Sequence, residues 1–521
     1  MPRPAFARWA ACSACAIILG LPSYATGAAF LRTPLEAREF ARITSAAEAG
    51  DFLKAVENRD SRARHAVVGV STKGKPIDAL FVSEALNALS GGGEPGERLR
   101  VMIVGSLHGT EPAGAEAILM LARDLVQASP RGLLEFIEFI LVPVGNPDAY
   151  ESGTRLGGAR VNLSALTSPE NRAIVDMIVR WRPDVFIDLH EATAYKPETL
   201  ARQDYLTDFE AQIEIANNPN VDAAVRELSR ERIRPAIILR LQRQGLRAND
   251  YIGEIREIGQ PIAHGNLTVR NLRNRAGMEG AFSLLVENRL DPPGGNYPTP
   301  HNIRERTAKQ LLSLRTVVRV CLAERREIAA RSRAAQKAWR KENAGERVFL
   351  VATYALDPKR ETVSIRLRRI ADRQPENRTF PYRGHIAPSH ALVLPGAYAI
   401  TAHQDEIGVV LKRQHIRYDI LREARECRAT VLHVSAWDHT RSSLLPTSKR
   451  VDIEERIARV HLPAGSLWIS LKQPERRLIP LLLEPQSNSS LYEHRDYAGL
   501  VTPGKDFFML RMTGECTVSH R

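Results

Sequence analysis

The sequence predicts an α/β fold: a mixed, mostly parallel sheet flanked by helices, followed by a smaller β-rich C-terminal domain. Apolar runs such as Arg100 to Gly105 and Asp184 to Leu189 have the profile of strands covered on both faces. They alternate with stretches of helical periodicity, Ala113 to Gln127 and Pro169 to Trp181, and strands alternating with helices imply a parallel or mixed sheet. After Arg347 the pattern changes to short alternating segments separated by Pro and Gly turns.

Taken in order, Leu35 to Asn58 reads as helix. His65 to Val70 and Ile77 to Ser83 alternate like a hairpin around Lys73-Gly74-Lys75. A Gly/Glu/Pro-rich loop, Ser90 to Glu97, leads into the strand ending at Gly105. Phe136 to Val144 and Ala281 to Val286 read as further strands, and the α/β domain is expected over 35–330. His301 to Asn343 reads as a long basic helix whose first half has an apolar face, Leu311, Leu314, Val317 and Val318. Its second half, Arg325 to Lys341, reads as a solvated connector, so 331–346 is expected to be a basic helical linker. The β-rich accessory domain is expected over 347–521, with strands around Val348 to Val351, Thr362 to Leu367 and Leu467 to Ser470.

A chain of 521 residues with 44% hydrophobic content supports two cores and argues against global disorder. Arg3 and Arg8 precede an apolar run, Trp9 to Leu21, and small residues follow at Ser23, Ala25, Ala28 and Ala29. That is the layout of a secretory signal peptide, expected over 1–28, with an uncleaved anchor as the other reading. Cleavage would leave no integral membrane segment and a periplasmic or secreted protein.

Removing two arginines and no acids lowers the formal charge from +13 to +11. The excess fits an arginine-rich proteome, or attraction to anionic surfaces such as cell-wall polymers. The arginines are spread rather than clustered, and no motif makes nucleic acid an expected partner. Cys321, Cys427 and Cys516 remain after cleavage, which allows at most one bridge and no Cys-x-x-Cys metal site.

The chemistry-bearing groups fall at strand ends. His108 follows the strand closed by Gly105, and Glu111 stands three residues on, at the entry to a helix. His190 ends the run Phe186-Ile187-Asp188-Leu189, and Glu287 ends Ser283-Leu284-Leu285-Val286. Two imidazoles and one carboxylate make the three-ligand set of a catalytic zinc, leaving a fourth position open, and a further carboxylate can serve as the proton acceptor.

His108-Gly109-Thr110-Glu111, Asn146-Pro147-Asp148-Ala149-Tyr150 with Arg155, His190 and Glu287, in that order, resemble the carboxypeptidase A family of zinc metallocarboxypeptidases. The likeness runs from about Leu35 to Asp291 and is closest to bacterial exported members with a β-rich C-terminal extension. In those members stretches like Pro169 to Arg172 and Leu272 to Arg275 precede the second histidine and the glutamate.

The resemblance implies one Zn2+ held by His108, Glu111 and His190, with Glu287 as general base and acid. Arg155 would stabilise the oxyanion, a role worth roughly 3 to 4 kcal/mol for one well-placed donor. The implied activity is cleavage of an amide bond by metal-activated water in exported peptides or peptidoglycan stems. Asn162 stands where the family has an aspartate that orients the first zinc histidine, and Asp188 is placed to help instead. Ser164 and Ala165 stand where an Asn-Arg pair holds the substrate's carboxylate, with Arg160 as a shifted substitute. Tyr251 and Tyr195 are the candidates for the tyrosine near the scissile bond.

Two other readings stay open. One is a related zinc deacylase, similar to aspartoacylase or succinylglutamate desuccinylase, towards which Ala149 leans. The other is a peptide-binding protein that has kept the cleft without the catalysis.

Overall fold

The computed structural model describes residues 30–91, 96–127, 132–157, 163–196, 198–291, 302–341, 345–438 and 451–518. The expected signal peptide, 1–28, lies outside them. Among the described residues nine strands precede residue 290: β1 Ala63–Val70, β2 Pro76–Val82, β3 Leu99–Val104, β4 Ile137–Val142, β5 Val185–Ala192, β6 Tyr205–Thr207, β7 Ala211–Ile215, β8 Ala248–Asp250 and β9 Phe282–Arg289. Eight of them form one sheet in the order β1-β2-β4-β3-β5-β9-β7-β8. The pairs β4/β3, β3/β5, β5/β9 and β7/β8 are parallel, and the rest are antiparallel. The mixed, mostly parallel sheet expected from the sequence is therefore present, and every residue of β3 and β4 is buried.

Successive side chains of a strand serve opposite faces. Met102, Val104, Ile140 and Phe186 pack on one side against the helices Pro169–Trp181 and Leu272–Met278, with Ile174, Ile178 and Trp181 at the centre of that core. The helix Ala113–Gln127 lies against β3, β4 and β5 and is backed by Ile303–Ala323. Pro169–Trp181 begins where sequence chemistry favours it, with Ser168 accepting from the Asn171 N–H at 3.2 Å and Pro169 in the first turn.

The connector expected to be solvated is a packed helix, Arg325–Arg340, that buries Ile328, Ser332, Ala335, Gln336 and Trp339. These residues recur at one-helix-face spacing, but the stripe is mostly small or polar, so it allows close approach while carrying little hydrophobic signal. Arg333 of this helix pairs with Asp184 at 3.2 Å, just before β5.

The C-terminal region is β-rich, as expected. β10 Arg347–Ala355, β11 Thr362–Arg369, β12 Pro375–Pro381 and β13 His385–Val393 come first. β14 Ala397–Ile400, β15 Asp419–Ile420, β16 Arg425–Trp437, β17 Val451–Leu462, β18 Leu467–Ser470 and β19 Lys505–Val518 then make a six-stranded sheet. Cys427 of β16 and Cys516 of β19 are register partners and form a disulfide.

This region is woven into the α/β domain, and residues 32–521 make one unit. β6 pairs with β11 rather than with the large sheet, and Asp208 beside it binds Arg366 and Arg368, each at 2.9 Å. Gln414 donates to the Leu163 carbonyl at 2.7 Å, and Asn220 exchanges bonds with the Phe349 backbone.

Candidate metal centre

β3 ends at Val104, and the next residues turn sharply. Ser106 takes a left-handed conformation (φ 48°), and its hydroxyl donates to the Glu111 carbonyl at 2.9 Å, closing the loop that carries His108 and Glu111. Backbone strain of this kind in a non-glycine residue persists only where surrounding contacts impose it. Gly109 is required by a close approach of the backbone rather than by its own dihedral angles. Its φ is not positive, but a Cβ there would stand 1.8 Å from the Ala149 carbonyl oxygen. The loop is thus pressed on the helix Pro147–Ser152, which Asn146 caps by accepting from the Ala149 N–H at 3.0 Å.

Two side chains expected at strand ends, His108 and His190, converge with one expected at a helix entry, Glu111. Glu111 Oε1 lies 2.8 Å from His108 Nδ1, and Glu111 Oε2 lies 2.8 Å from His190 Nδ1. The two Nδ1 atoms are 3.2 Å apart, and one ligand atom from each of the three residues fits within 4.8 Å of the others. His190 is in register with Glu287 on the neighbouring parallel strand, so the sheet itself sets the fourth group beside the first three. Arg155, largely exposed, reaches in and donates to Glu111 Oε1 at 3.2 Å.

Burial alone would raise the Glu111 carboxyl, but His190 and His108 hold it well below the usual carboxylate range. Burial lowers His190, yet Asp188 and Glu111 override it and raise the ring well above its ordinary value. Burial pushes Glu287 up to about 7, against His190 and with help from the negative charges of Glu111 and Asp188. One Glu287 oxygen, Oε2, is shielded from water and has no hydrogen-bond partner among the described residues. A carboxyl that titrates near neutrality is suited to proton transfer.

Other expected residues fall as follows. Asp188 Oδ1 stands 2.9 Å from His190 Nε2, on the ring edge away from the cluster, without a hydrogen-bond partner of its own among the described residues. Tyr251 is near the cluster: burial and the charge on Glu287 push its phenol up to about 12. Tyr195 lies in the loop after β5, its N–H donated to Asp291 at 3.2 Å. Ser164 is buried, and its hydroxyl donates to the Ser489 carbonyl at 2.9 Å, so the group expected to touch substrate is bonded to the C-terminal region. Ala165 is buried beside it. Arg160 and Asn162 lie outside the described residues.

Sequence reasoning missed Glu191. It follows His190 on the opposite face of β5, accepts from the Ala113 N–H at 3.0 Å, and takes two bonds from Arg306, at 2.8 and 2.9 Å. Its own N–H donates to Glu111 at 3.2 Å, so it ties β5, the helix start and the cluster together. A charged residue inside an apolar strand was the available signal.

The donor set fits a zinc ion. Two Nδ1 atoms facing each other at 3.2 Å beside a carboxylate are poorly satisfied by hydrogen bonds alone, since both cannot point protons at one another. Two imidazole lone pairs and one carboxylate oxygen are the ligands that zinc takes in open catalytic sites.

Residues 50–164 match the family model described as zinc carboxypeptidase. The resemblance to the zinc carboxypeptidase family is thereby shown. The matched stretch contains His108, Glu111 and Arg155, while His190 and Glu287 lie beyond it. Carboxypeptidase 2 of Trichophyton rubrum is 27% identical over 229 residues, and a probable carboxypeptidase 2 of Arthroderma benhamiae is 26% identical over 227. The alignments take in 42% of this chain and 42 to 43% of those proteins, so the chain spans less than half the length of the curated relatives it matches. Among solved structures, a metallo-carboxypeptidase from Pseudomonas aeruginosa is 18% identical, covering 55% of this chain and 70% of that one with a TM-score of 0.41.

Proposed function

We propose that this zinc carboxypeptidase-like chain is a metallocarboxypeptidase-like hydrolase that cleaves an amide bond of exported peptides or cell-wall peptides. The observation that carries the reading is the convergence of His108, Glu111 and His190, with Glu287 in register beside His190.

His108, Glu111 and His190 would hold the zinc ion, which when bound supplies Lewis-acid polarisation of a carbonyl and activation of water. Glu287, near neutrality and with one unpartnered buried oxygen, takes a proton from the attacking water and returns it to the leaving amine. Arg155, largely exposed and held in this cluster through Glu111, turns to the carbonyl oxygen and donates to the charge that develops there. Tyr251, its phenol kept protonated, stands ready to donate near Glu287.

Export to the periplasm or outside the cell is part of this reading. It is supported by the signal-like sequence of residues 1–28 and by the Cys427–Cys516 disulfide, a bond that persists in oxidising compartments. No described helix is long and apolar enough to cross a membrane.

Glu287→Gln tests the assignment. The variant is expected to keep about one equivalent of zinc and to lose turnover on a panel of blocked peptides, with N-acyl amino acids assayed alongside to expose a deacylase. Near-normal hydrolysis by this variant would sink the role given to Glu287.

A further inference from the structure

We propose that Arg273 anchors a carboxylate-binding subsite beside the metal centre, one that receives a carboxylate of the peptide substrate. The proposal deepens the hydrolase reading above and rests on it.

Arg273 is only 4% exposed, and no carboxylate lies within ion-pair distance of it among the described residues. Every other buried arginine described, Arg100, Arg275, Arg306, Arg476 and Arg511 among them, has an acidic partner within 4.0 Å. Among the described residues Arg273 has two weak neutral contacts, both through Nη2: Asn217 Oδ1 at 3.3 Å and the Asn266 carbonyl at 3.2 Å. Its Nε is buried and unpartnered. A guanidinium taken out of water without a counter-charge is costly, and a carboxylate meeting its fork would satisfy charge and donors together.

Its surroundings face the reacting groups. A methyl group on Gly265 would stand 3.0 Å from Nη2, 3.2 Å from Nη1 and 3.4 Å from Cε1 of Tyr251, so the guanidinium and the phenol ring flank one bare backbone position. The Tyr251 N–H donates to the Ile213 carbonyl at 3.0 Å, and Ile213 is the register partner of Val286, the residue before Glu287, so this phenol is carried beside the strand end of the reacting groups. Asn217, which holds Nη2, also donates to the Gly265 carbonyl at 2.8 Å and to the Tyr354 hydroxyl at 2.7 Å. Tyr354 belongs to β10, so the C-terminal region braces this subsite from behind.

The carboxylate has two possible sources, the substrate's C-terminus or an acidic side chain. Both are tested on the zinc-loaded full chain carrying Glu287→Gln to prevent turnover. Calorimetry would measure binding of N-acetyl-Ala-Glu, N-acetyl-Ala-Leu and the C-terminal amide of each. Adding Arg273→Met is expected to weaken binding about tenfold to a hundredfold. Loss on both free acids and on neither amide assigns the C-terminus. Loss on both glutamate peptides, amidated or not, assigns the side chain. Equal binding of all four by the Arg273→Met protein and its parent overturns the subsite, as does a parent that binds none of them.

Removing a buried unpaired charge should leave the melting temperature unchanged or raise it. Should Arg273→Met fail to fold, Arg273→Lys keeps the charge, loses the fork, and is read against the same four peptides. If the wild-type chain cleaves none of the peptides while Arg273→Met still weakens their binding, the hydrolase reading fails and the subsite stands.

Discussion

The Nδ1 atoms of His108 and His190 stand 3.2 Å apart, both facing Glu111, while Asp188 sits 2.9 Å from the far nitrogen of His190. A carboxylate at that distance favours the His190 proton on Nε2, which leaves Nδ1 to face a cation. Asp188→Asn is therefore expected to weaken zinc affinity about tenfold to a hundredfold, because an amide orients the ring without its charge. Competition with a chromophoric chelator measures this, and unchanged affinity would remove Asp188 from the site.

Gly109 offers a test of how the ligand loop is held. A Cβ would sit 1.8 Å from the Ala149 carbonyl oxygen and 2.0 Å from its carbon, both backbone atoms without a rotamer to yield. Gly109→Ala must displace the loop between His108 and Glu111, so zinc content should fall well below one equivalent. A stability loss of about 3 kcal/mol or more is expected from denaturant melts. Normal zinc content and normal melting together would show that the loop has room to move.

Much of this site was legible because buried parallel strands write themselves as apolar runs, and a charged residue closing such a run stands out. His190 and Glu287 were found in that way, and their register pairing follows from β5 and β9 being neighbours. The stretch from Tyr205 to Asp250 was not legible: β6, β7 and β8 have three to five residues each, too short to show a period. Arg273 was visible only as part of a motif, since its want of an acidic partner depends on residues brought together by the fold. The fate of Ser164 was hidden for the same reason, because Ser489 lies 325 residues away.

Glu116 predicts a pH dependence away from the metal centre. It is buried on the helix Ala113–Gln127, where its carboxyl accepts the Thr44 N–H at 2.6 Å and faces the Thr44 hydroxyl at 2.8 Å. Burial pushes it up to about 7 from 4.5, so the folded state binds the proton more tightly than the unfolded one. Its contribution to stability is fully present below pH 4.5 and is lost as pH rises through about 7. A glutamine can accept from the Thr44 N–H and donate to its hydroxyl, copying the protonated acid at every pH. Glu116→Gln should melt like the wild type at pH 4.5 and above it at pH 8, by up to roughly 3 kcal/mol. A pH-independent difference between the two proteins would assign the effect to packing instead.

The disulfide makes the last prediction. Cys427 and Cys516 are 89 residues apart in sequence and 4.3 Å apart at Cα, on strands already paired in the six-stranded sheet. Bridging a loop of that length restricts the unfolded chain, a contribution of about 4 to 5 kcal/mol when the folded geometry is unstrained. The third cysteine, Cys321, is buried in the helix Ile303–Ala323, and burial pushes its thiol up to about 12, so it is a poor partner for exchange. Reducing agent should therefore lower the melting temperature of the wild type to that of Cys427→Ser and leave the variant where it was. Should reduction leave the wild type unmoved, the bridge contributes nothing to stability, and it ceases to support an oxidising destination for the protein.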